Sequence, residues 1–218
     1  MRANKWLMGG SLAAALILNG CTSRTTSQEQ YSGFLSSYDN LQEVETSTGK
    51  TVLRWTAPDF NLRNYSGLVY QPINFYPPPK PTEQISNETL TSLLQYTNDQ
   101  VSQALASRLP LTTNPSPGTL IFKGAITGVD TATQGLKPYE VIPIALVTAG
   151  AMAATGHRDQ NTELYMEGEL VDAATGKSVA RVVRKGFGKT LDNDEQNVTL
   201  DDLKAIVNDM AKDIRMYP

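Results

Sequence analysis

The sequence of 218 residues contains one cysteine and one histidine, Cys21 and His157. A single cysteine excludes a disulfide within the chain, and a zinc site, which usually needs several cysteine or histidine ligands, is not expected. A serine-hydrolase relay would have to use His157, and no G-x-S-x-G motif accompanies it. The sequence therefore predicts neither a metal nor a cofactor.

An excess of basic side chains is also lacking. Lysine and arginine total 19 against 22 aspartate and glutamate residues, which gives a formal net charge of −3. Proteins that bind nucleic acid usually carry many basic side chains, because these neutralise the phosphates. We therefore expect no nucleic-acid partner.

The N-terminus carries an apolar run over residues 6–18, which Arg2 and Lys5 precede. This pattern is typical of a secretory signal and is too short for a spanning helix. The letters LNGC that end at Cys21 resemble a bacterial lipobox, in which the cysteine is lipidated and becomes the new N-terminus. We expect a signal peptide over residues 1–20 and a lipid anchor on Cys21.

The lipobox resemblance also implies a location. Thr22 follows Cys21, in place of the aspartate that resembles an inner-membrane retention signal, so the resemblance implies sorting to the periplasmic face of the outer membrane. One acyl chain anchors a protein only marginally, and the resemblance implies three on Cys21. Residues 22–30 are polar and predict a flexible tether, followed by a single periplasmic domain over 31–218.

The order of the helices and strands predicted along the domain indicates an α+β fold, with a mostly antiparallel sheet and two main amphipathic helices packed on it. One helix is predicted between Ser86, a typical N-cap residue, and Pro110, and the other begins at a capping-box pattern formed by Thr199 and Asp202. Apolar spacing over residues 31–41 predicts a further short helix. Strands are predicted over 51–57, over 65–73, from 119 onward and in a hairpin that turns at 172–177.

An internal run of sixteen residues, 141–156, carries no charge. As a helix it would rise about 24 Å, which is short of the roughly 30 Å hydrocarbon core of a membrane. Ala145, Ala149 and Ala153 would form one small-residue face of this apolar helix. Such a helix must be buried, and the sequence leaves three sites open: the core, an interface with a partner or second copy, and the membrane.

Paired carboxylates offer the one catalytic arrangement that the sequence allows. Glu167 and Glu169 lie two residues apart on one face of the predicted hairpin, and glycosidases use two carboxylates at short separation. The alternative interpretation is the exposed face of a half-buried strand.

The second strand of the predicted hairpin carries a basic cluster. Side chains of this kind either form a solvated face or contact anionic glycan or lipid headgroups. The members of the cluster are Arg181, Arg184, Lys185 and Lys189.

Four sequence segments and the apolar run resemble a known family in their order and spacing. These segments are YSGFLSSYDNLQ, LRWTAPDFNLRNYSGLVYQPI, PGTLIFKGAITGVD and EGELVDAATGKSVARVVRKGFGK. They resemble the Gram-negative lipoprotein family called domain of unknown function 3313, over roughly residues 31–216. The resemblance implies an envelope lipoprotein and, by looser analogy, an α+β domain of the sort found in accessory lipoproteins of envelope machines. It implies no activity and no site residues.

These observations predict a non-enzymatic lipoprotein, anchored to the outer membrane, that acts as a binding or assembly factor of the cell envelope. Its partner would be a protein, an envelope component or a second copy of the chain. Two alternatives remain open from the sequence. One is a carboxylate-dependent envelope glycan hydrolase, and the other is an oligomeric pore or export subunit.

Overall fold

The structure, a computed structural model, describes residues 24–133, 160–193 and 195–217. Within these ranges the chain forms one eight-stranded sheet and two α-helices, together with two short 3₁₀ helices. The strands are β1 (Gln42–Glu45), β2 (Thr51–Thr56), β3 (Gly67–Tyr70), β4 (Asn74–Phe75), β5 (Leu111–Thr112), β6 (Thr119–Thr133), β7 (Gln160–Asp172) and β8 (Ser178–Leu191). The helices are α1 (Asn87–Ala106) and α2 (Leu200–Arg215).

The sheet has the order β1-β2-β8-β7-β6-β3-β5, and the short strand β4 pairs with β6. Every pair from β1 to β6 along this order is antiparallel, whereas β3 and β4 run parallel to β6, and β5 runs parallel to β3. The prediction of an α+β fold with a mostly antiparallel sheet is confirmed.

The main core lies between the sheet and the two helices, which pack on the same face. Leu93 of α1, Leu203 of α2, Leu120 of β6 and Leu164 of β7 are all fully buried there. Burial of each such side chain contributes roughly 1.5 to 3 kcal/mol. We call this helix-covered face the inner face and the opposite one the outer face.

Both helices begin where their sequence signals predict. The Oγ of Ser86 accepts a hydrogen bond from the Thr89 backbone N–H at 3.0 Å, which satisfies one free donor of the first turn of α1. At the start of α2, the Thr199 backbone N–H donates to the Asp202 carboxylate at 2.8 Å. The capping box therefore forms with aspartate in place of glutamate.

Two glycines of β8 allow α2 to approach the sheet closely. A Cβ placed on Gly186 would overlap the Ile206 side chain, and one on Gly188 would overlap the backbone carbonyl oxygen of Asp202. Glycine is therefore required at these positions by the close contact between strand and helix.

A β-bulge in β6 changes which residues share a face. Simple alternation along the strand would put Gly124, Ile126 and Gly128 on one face, but the register shifts between Ile126 and Gly128. Gly128 consequently lies opposite Tyr165, where its missing side chain leaves room for the tyrosine ring. The extra residue of a bulge reverses the alternation of the strand beyond it.

The N-terminal segment, residues 24–41, differs from both structures predicted for it. Residues 31–41 form no helix, because Gly33 and Asn40 adopt positive φ angles that interrupt a helical path. They cross the outer face as an irregular strap, and Leu35 is buried there against Leu53 and Val183.

Residues 24–30 lie where the sequence predicts a flexible tether. Thr25 and Thr26 are instead buried, and Gln28–Gln30 form a short 3₁₀ helix. The Thr25 hydroxyl donates to Glu43 of β1 at 2.8 Å. Contact with the sheet thus begins earlier than the predicted boundary at residue 31, since Thr25 of this polar stretch bonds to β1.

Several predicted features lie outside the described residues. They include Cys21, His157 and the apolar run with Ala145, Ala149 and Ala153, so their roles stay predictions. Of the helices in the described ranges, neither has the length and apolar character needed to cross a membrane. These ranges also contain no cluster of three or more histidine, cysteine, aspartate or glutamate side chains arranged to hold a metal ion.

Candidate functional site

The candidate site is the polar part of the outer face, which the N-terminal segment covers. Strand β7 directs Glu163, Tyr165, Glu167 and Glu169 to this face, because alternate residues of a strand point the same way. All four side chains are buried. The sequence correctly predicts that Glu167 and Glu169 share a face, but the structure shows that this face is covered.

Glu167 is held by two donors from the N-terminal segment. The backbone N–H of Ser32 donates to one carboxylate oxygen at 3.0 Å, and the Tyr38 hydroxyl donates to the other at 2.5 Å. Burial raises the pKa of Tyr38, and its hydrogen bond to Glu167 raises it further. The tyrosine therefore remains a donor, and the carboxylate, only 2% exposed, is occupied at both oxygens.

Glu169 is contacted both by the N-terminal segment and by the neighbouring strand β6. The hydroxyl of Ser36 donates to one carboxylate oxygen at 2.7 Å. Lys123 of β6 places its Nζ 3.7 Å from the other oxygen. Both carboxylates of the predicted catalytic pair thus serve as acceptors for neighbouring parts of the fold.

Arg181 of β8 fastens the next part of the N-terminal segment. Its guanidinium donates to the backbone carbonyl oxygens of Ser37 and Asp39 and lies over the Trp55 ring, 4.2 Å from its centroid. A buried arginine that both stacks and donates in this way fixes the path of the chain beside it.

A second polar cluster lies further along β7. The Tyr165 hydroxyl donates to Glu163 at 2.5 Å, and Lys185 Nζ lies 3.0 Å from the same glutamate oxygen. Burial raises the pKa of Tyr165, and the charge of Glu163 acts in the same direction. Because a buried charge is costly without a partner, this ion pair depends on both of its members.

Asp130 of β6 adds a carboxyl group beside this cluster. Burial raises its pKa to about 6. The charge of Glu163 raises it as well, whereas the Thr131 backbone N–H, which donates at 2.8 Å, and the charge of Lys185 lower it.

The four basic residues of β8 do not form one surface patch, so this part of the sequence interpretation is corrected. Arg181 and Lys185 point to the outer face and are buried, whereas Arg184 points to the inner face and pairs with Asp213 of α2. Only Lys189 is well exposed, with 63% of its side chain accessible. The physical reason is the alternation of the strand, which separates residue 184 from its odd-numbered neighbours.

The contacts that hold the N-terminal segment were not identified from the sequence. Ser32, Ser36 and Tyr38 carried no catalytic or binding pattern, and only the apolar spacing of residues 31–41 indicated that this region packs on the domain. What the arrangement does chemically is to satisfy buried charges. On the outer face, the N-terminal segment covers both Glu167 and Glu169.

The model of the family described as "Protein of unknown function (DUF3313)" matches residues 30–214. The chain belongs to this DUF3313 family. Two relatives from Escherichia coli, strains K12 and O157:H7, are both called "Uncharacterized lipoprotein YdcL". Each is 47% identical over 217 residues, which cover 100% of this chain and 98% of the relative. The family resemblance of the sequence segments is thus confirmed.

Solved structures similar to this DUF3313 chain are much more distant. A PelC dodecamer from Paraburkholderia phytofirmans has a TM-score of 0.38 at 10% identity, covering 76% of this chain and 96% of its own. A putative neuraminyllactose-binding hemagglutinin homologue from Helicobacter pylori has a TM-score of 0.36 at 8% identity, covering 72% and 82%. These similarities are too weak to support any statement on function.

Proposed function

We propose that this protein is a non-enzymatic lipoprotein, anchored through Cys21 to the periplasmic face of the outer membrane, whose domain binds a protein or envelope component close to the membrane surface. The LNGC pattern at Cys21 and the lipoprotein name of the Escherichia coli relatives support the anchor. Thr22 at the following position supports the outer membrane.

The observation that carries the proposal is the docking of the N-terminal segment. Its contacts with the sheet begin at Thr25, which is buried and bonded to Glu43. Thr25 lies four positions after Cys21, and four residues span at most roughly 14 Å. A lipid on Cys21 therefore holds this edge of the domain beside the membrane.

The non-enzymatic part of the proposal is supported by the same contacts. Glu167 and Glu169 are buried and accept hydrogen bonds from Ser32, Ser36 and Tyr38. A glycosidase carboxylate must reach the scissile bond, and the N-terminal segment lies in the way. The hydrolase alternative would need this segment to leave the sheet.

Metabolic labelling and membrane fractionation test the anchor and its location together. The wild type is expected to incorporate labelled palmitate and to fractionate with the outer membrane. Cys21→Ser should lose the label and remain unprocessed, whereas Thr22→Asp should keep the label and move to the inner membrane. Labelling that persists in the Cys21→Ser protein would contradict the anchor, and inner-membrane fractionation of the wild type would contradict the location.

A further inference from the structure

A cleft of about 430 Å³ opens on the inner face of the sheet, beside the ends of both helices. Its volume falls within the roughly 300 to 1,000 Å³ of most small-molecule pockets. Strands and helices both contribute apolar walls to it. These walls include Val52 of β2, Phe122 of β6, Leu170 of β7, Leu105 of α1 and Ile214 of α2.

The cleft exists partly because a small residue forms its floor. Gly168 of β7 lines it, and a Cβ at this position would lie 3.6 Å from Phe122, from Val182 and from the Lys123 carbonyl oxygen. These are ordinary van der Waals distances, so the backbone leaves room for a side chain that the sequence does not supply. The site of Gly168 differs in this way from those of Gly186 and Gly188, where the helix fills the space.

Four arginines line the same cleft. Arg181 donates to backbone carbonyl oxygens of the N-terminal segment, and Arg54 and Arg108 have no acidic partner among the described residues. Arg184 pairs with Asp213. Arg54 lies 5.1 Å from the centroid of the Tyr217 ring, and Arg108 donates only to backbone carbonyl oxygens, those of Arg215 at 3.0 Å and Tyr217 at 2.6 Å. The Nε of Arg108 is buried without a hydrogen-bond partner in the part of the chain that the structure describes.

The acidic residues of the lining do not cancel these charges. Asp213 is taken by Arg184, and Glu169 is bonded on the opposite face of the sheet by Ser36 and Lys123. Glu45, which is exposed, forms no ion pair with Arg54 or Arg108. An apolar cleft in which two guanidinium groups lack an acidic partner within the described ranges is complementary to an apolar chain that ends in an anionic group.

We propose that this cleft binds a single-chain anionic amphiphile of the fatty-acid class. The acyl chain lies over Gly168 between the apolar walls, and the carboxylate is bound by Arg54 and Arg108. This inference does not depend on the lipid anchor of Cys21, because it rests on contacts of the folded domain alone.

Photo-crosslinking tests the proposal with the complete lipidated protein in nanodiscs. The probe is dodecanoate that carries a diazirine on its chain, and dodecanol with the same diazirine is the uncharged comparison. Mass spectrometry is expected to place the dodecanoate label on peptides that contain Leu105, Phe122 or Leu170. Gly168→Leu, which fills the floor of the cleft, should lose this label.

The arginines are tested by charge removal. Arg54→Gln and Arg108→Gln should each weaken labelling by dodecanoate about tenfold, which is the size expected for one charge-assisted hydrogen bond, and should leave dodecanol labelling unchanged. Lys177→Gln, at the exposed β7–β8 turn, is the matched control and should label like the wild type. Circular dichroism is used to confirm that each variant is folded. If Gly168→Leu does not fold, the labelling of the two arginine variants still tests the proposal.

Three results would overturn the proposal. One is dodecanoate labelling of residues outside the cleft. Another is a decrease in labelling in the arginine variants that is equally large for dodecanoate and for dodecanol. The third result concerns a different occupant of the cleft. If the Leu170→p-benzoylphenylalanine variant crosslinks to a protein and to no lipid in whole cells, a polypeptide fills the cleft.

Discussion

The Tyr38 hydroxyl donates to a carboxylate oxygen of Glu167 at 2.5 Å, although the two residues are 129 positions apart in the sequence. Tyr38 belongs to the N-terminal segment and Glu167 to the central strand β7. The bond therefore joins the part of the chain nearest to Cys21 to the middle of the sheet. It also occupies the carboxylate that would otherwise be the best candidate for catalysis.

Replacing Tyr38 by phenylalanine should destabilise the domain. Tyr38→Phe keeps the ring that stacks on Tyr31, 4.4 Å between centroids, but removes the donor to Glu167. A hydrogen bond to a charged group contributes about 1.5 to 3 kcal/mol, and urea unfolding of the chain without residues 1–21 should show a loss of that order. Tyr76→Phe, at an exposed tyrosine, is the control. Equal unfolding free energies for Tyr38→Phe and wild type would contradict the importance of this bond.

Asp130 should make stability depend on pH in a defined direction. Its pKa is raised from 3.8 to about 6 in the folded protein by burial, so the folded state binds the proton more tightly than the unfolded state. The carboxylate therefore destabilises the fold at neutral pH, and this effect is relieved as the pH falls through about 6 towards 4. Asp130→Asn should be more stable than wild type at pH 7.

The measurement for Asp130 is the difference in unfolding free energy between Asp130→Asn and wild type, taken at several pH values. This difference should be largest near pH 7 and should shrink as the pH is lowered to 4. Glu163 and Lys185 face the same carboxyl group, so the comparison is made against the wild type to cancel their own titration. A difference that stays constant between pH 7 and pH 4 would show that the pKa of Asp130 is not raised.

Adding one methyl group at Gly188 should disturb the contact between β8 and α2. A Cβ there would overlap the Asp202 carbonyl oxygen, which belongs to the helix backbone and cannot rotate away. We expect Gly188→Ala to lower the unfolding free energy by about 1 to 3 kcal/mol or more. Gly168→Ala is the matched control, since its Cβ has room, and it should change stability little. The account of the close helix contact fails if the two variants lose the same stability.

No glycan release is expected from the purified protein or from its carboxylate variants. Glu167→Gln and Glu169→Gln would weaken the binding of the N-terminal segment, because the two carboxylates serve as acceptors for Ser32, Ser36 and Tyr38. Incubation with peptidoglycan and chromatography of the soluble products measures the release. An activity of the wild type that disappears in Glu167→Gln but persists in Glu195→Gln, at an exposed loop position, would establish the hydrolase instead.

Local sequence signals predict the elements whose structure is decided by neighbouring residues. Ser86 caps α1 and the pair Thr199 and Asp202 caps α2 because each donor and acceptor lie three residues apart. The turn of the β7–β8 hairpin is found for the same reason: the Thr175 backbone N–H and hydroxyl both bond to Asp172. These contacts form within one turn of chain, so the sequence alone shows them.

The sequence does not show contacts that depend on distant partners. The alternation of β7 predicts that Glu167 and Glu169 share a face, but their burial comes from Ser32, Ser36 and Tyr38, more than a hundred positions away. The bulge after Ile126 is likewise invisible, since only pairing with β7 reveals it. The cleft at Gly168 depends on the positions of eight strands and α-helices, and no pattern within any one of them indicates it.

The docked N-terminal segment is proposed to hold the domain beside the membrane, and energy transfer between the domain and the lipid headgroups tests this proposal. Trp55 is the only tryptophan outside residues 1–20, so in the processed lipoprotein it is a single donor, and a dansyl-labelled lipid headgroup in a nanodisc is the acceptor. A flexible insert of twelve glycine and serine residues between Ser23 and Arg24 adds about 20 Å of average reach. The same insert between Asn114 and Pro115, in an exposed loop, is the control. Transfer should be efficient in the wild type and the control and clearly lower with the insert after Ser23. Equal transfer in all three proteins would show that the docked segment does not set the distance between the domain and the membrane.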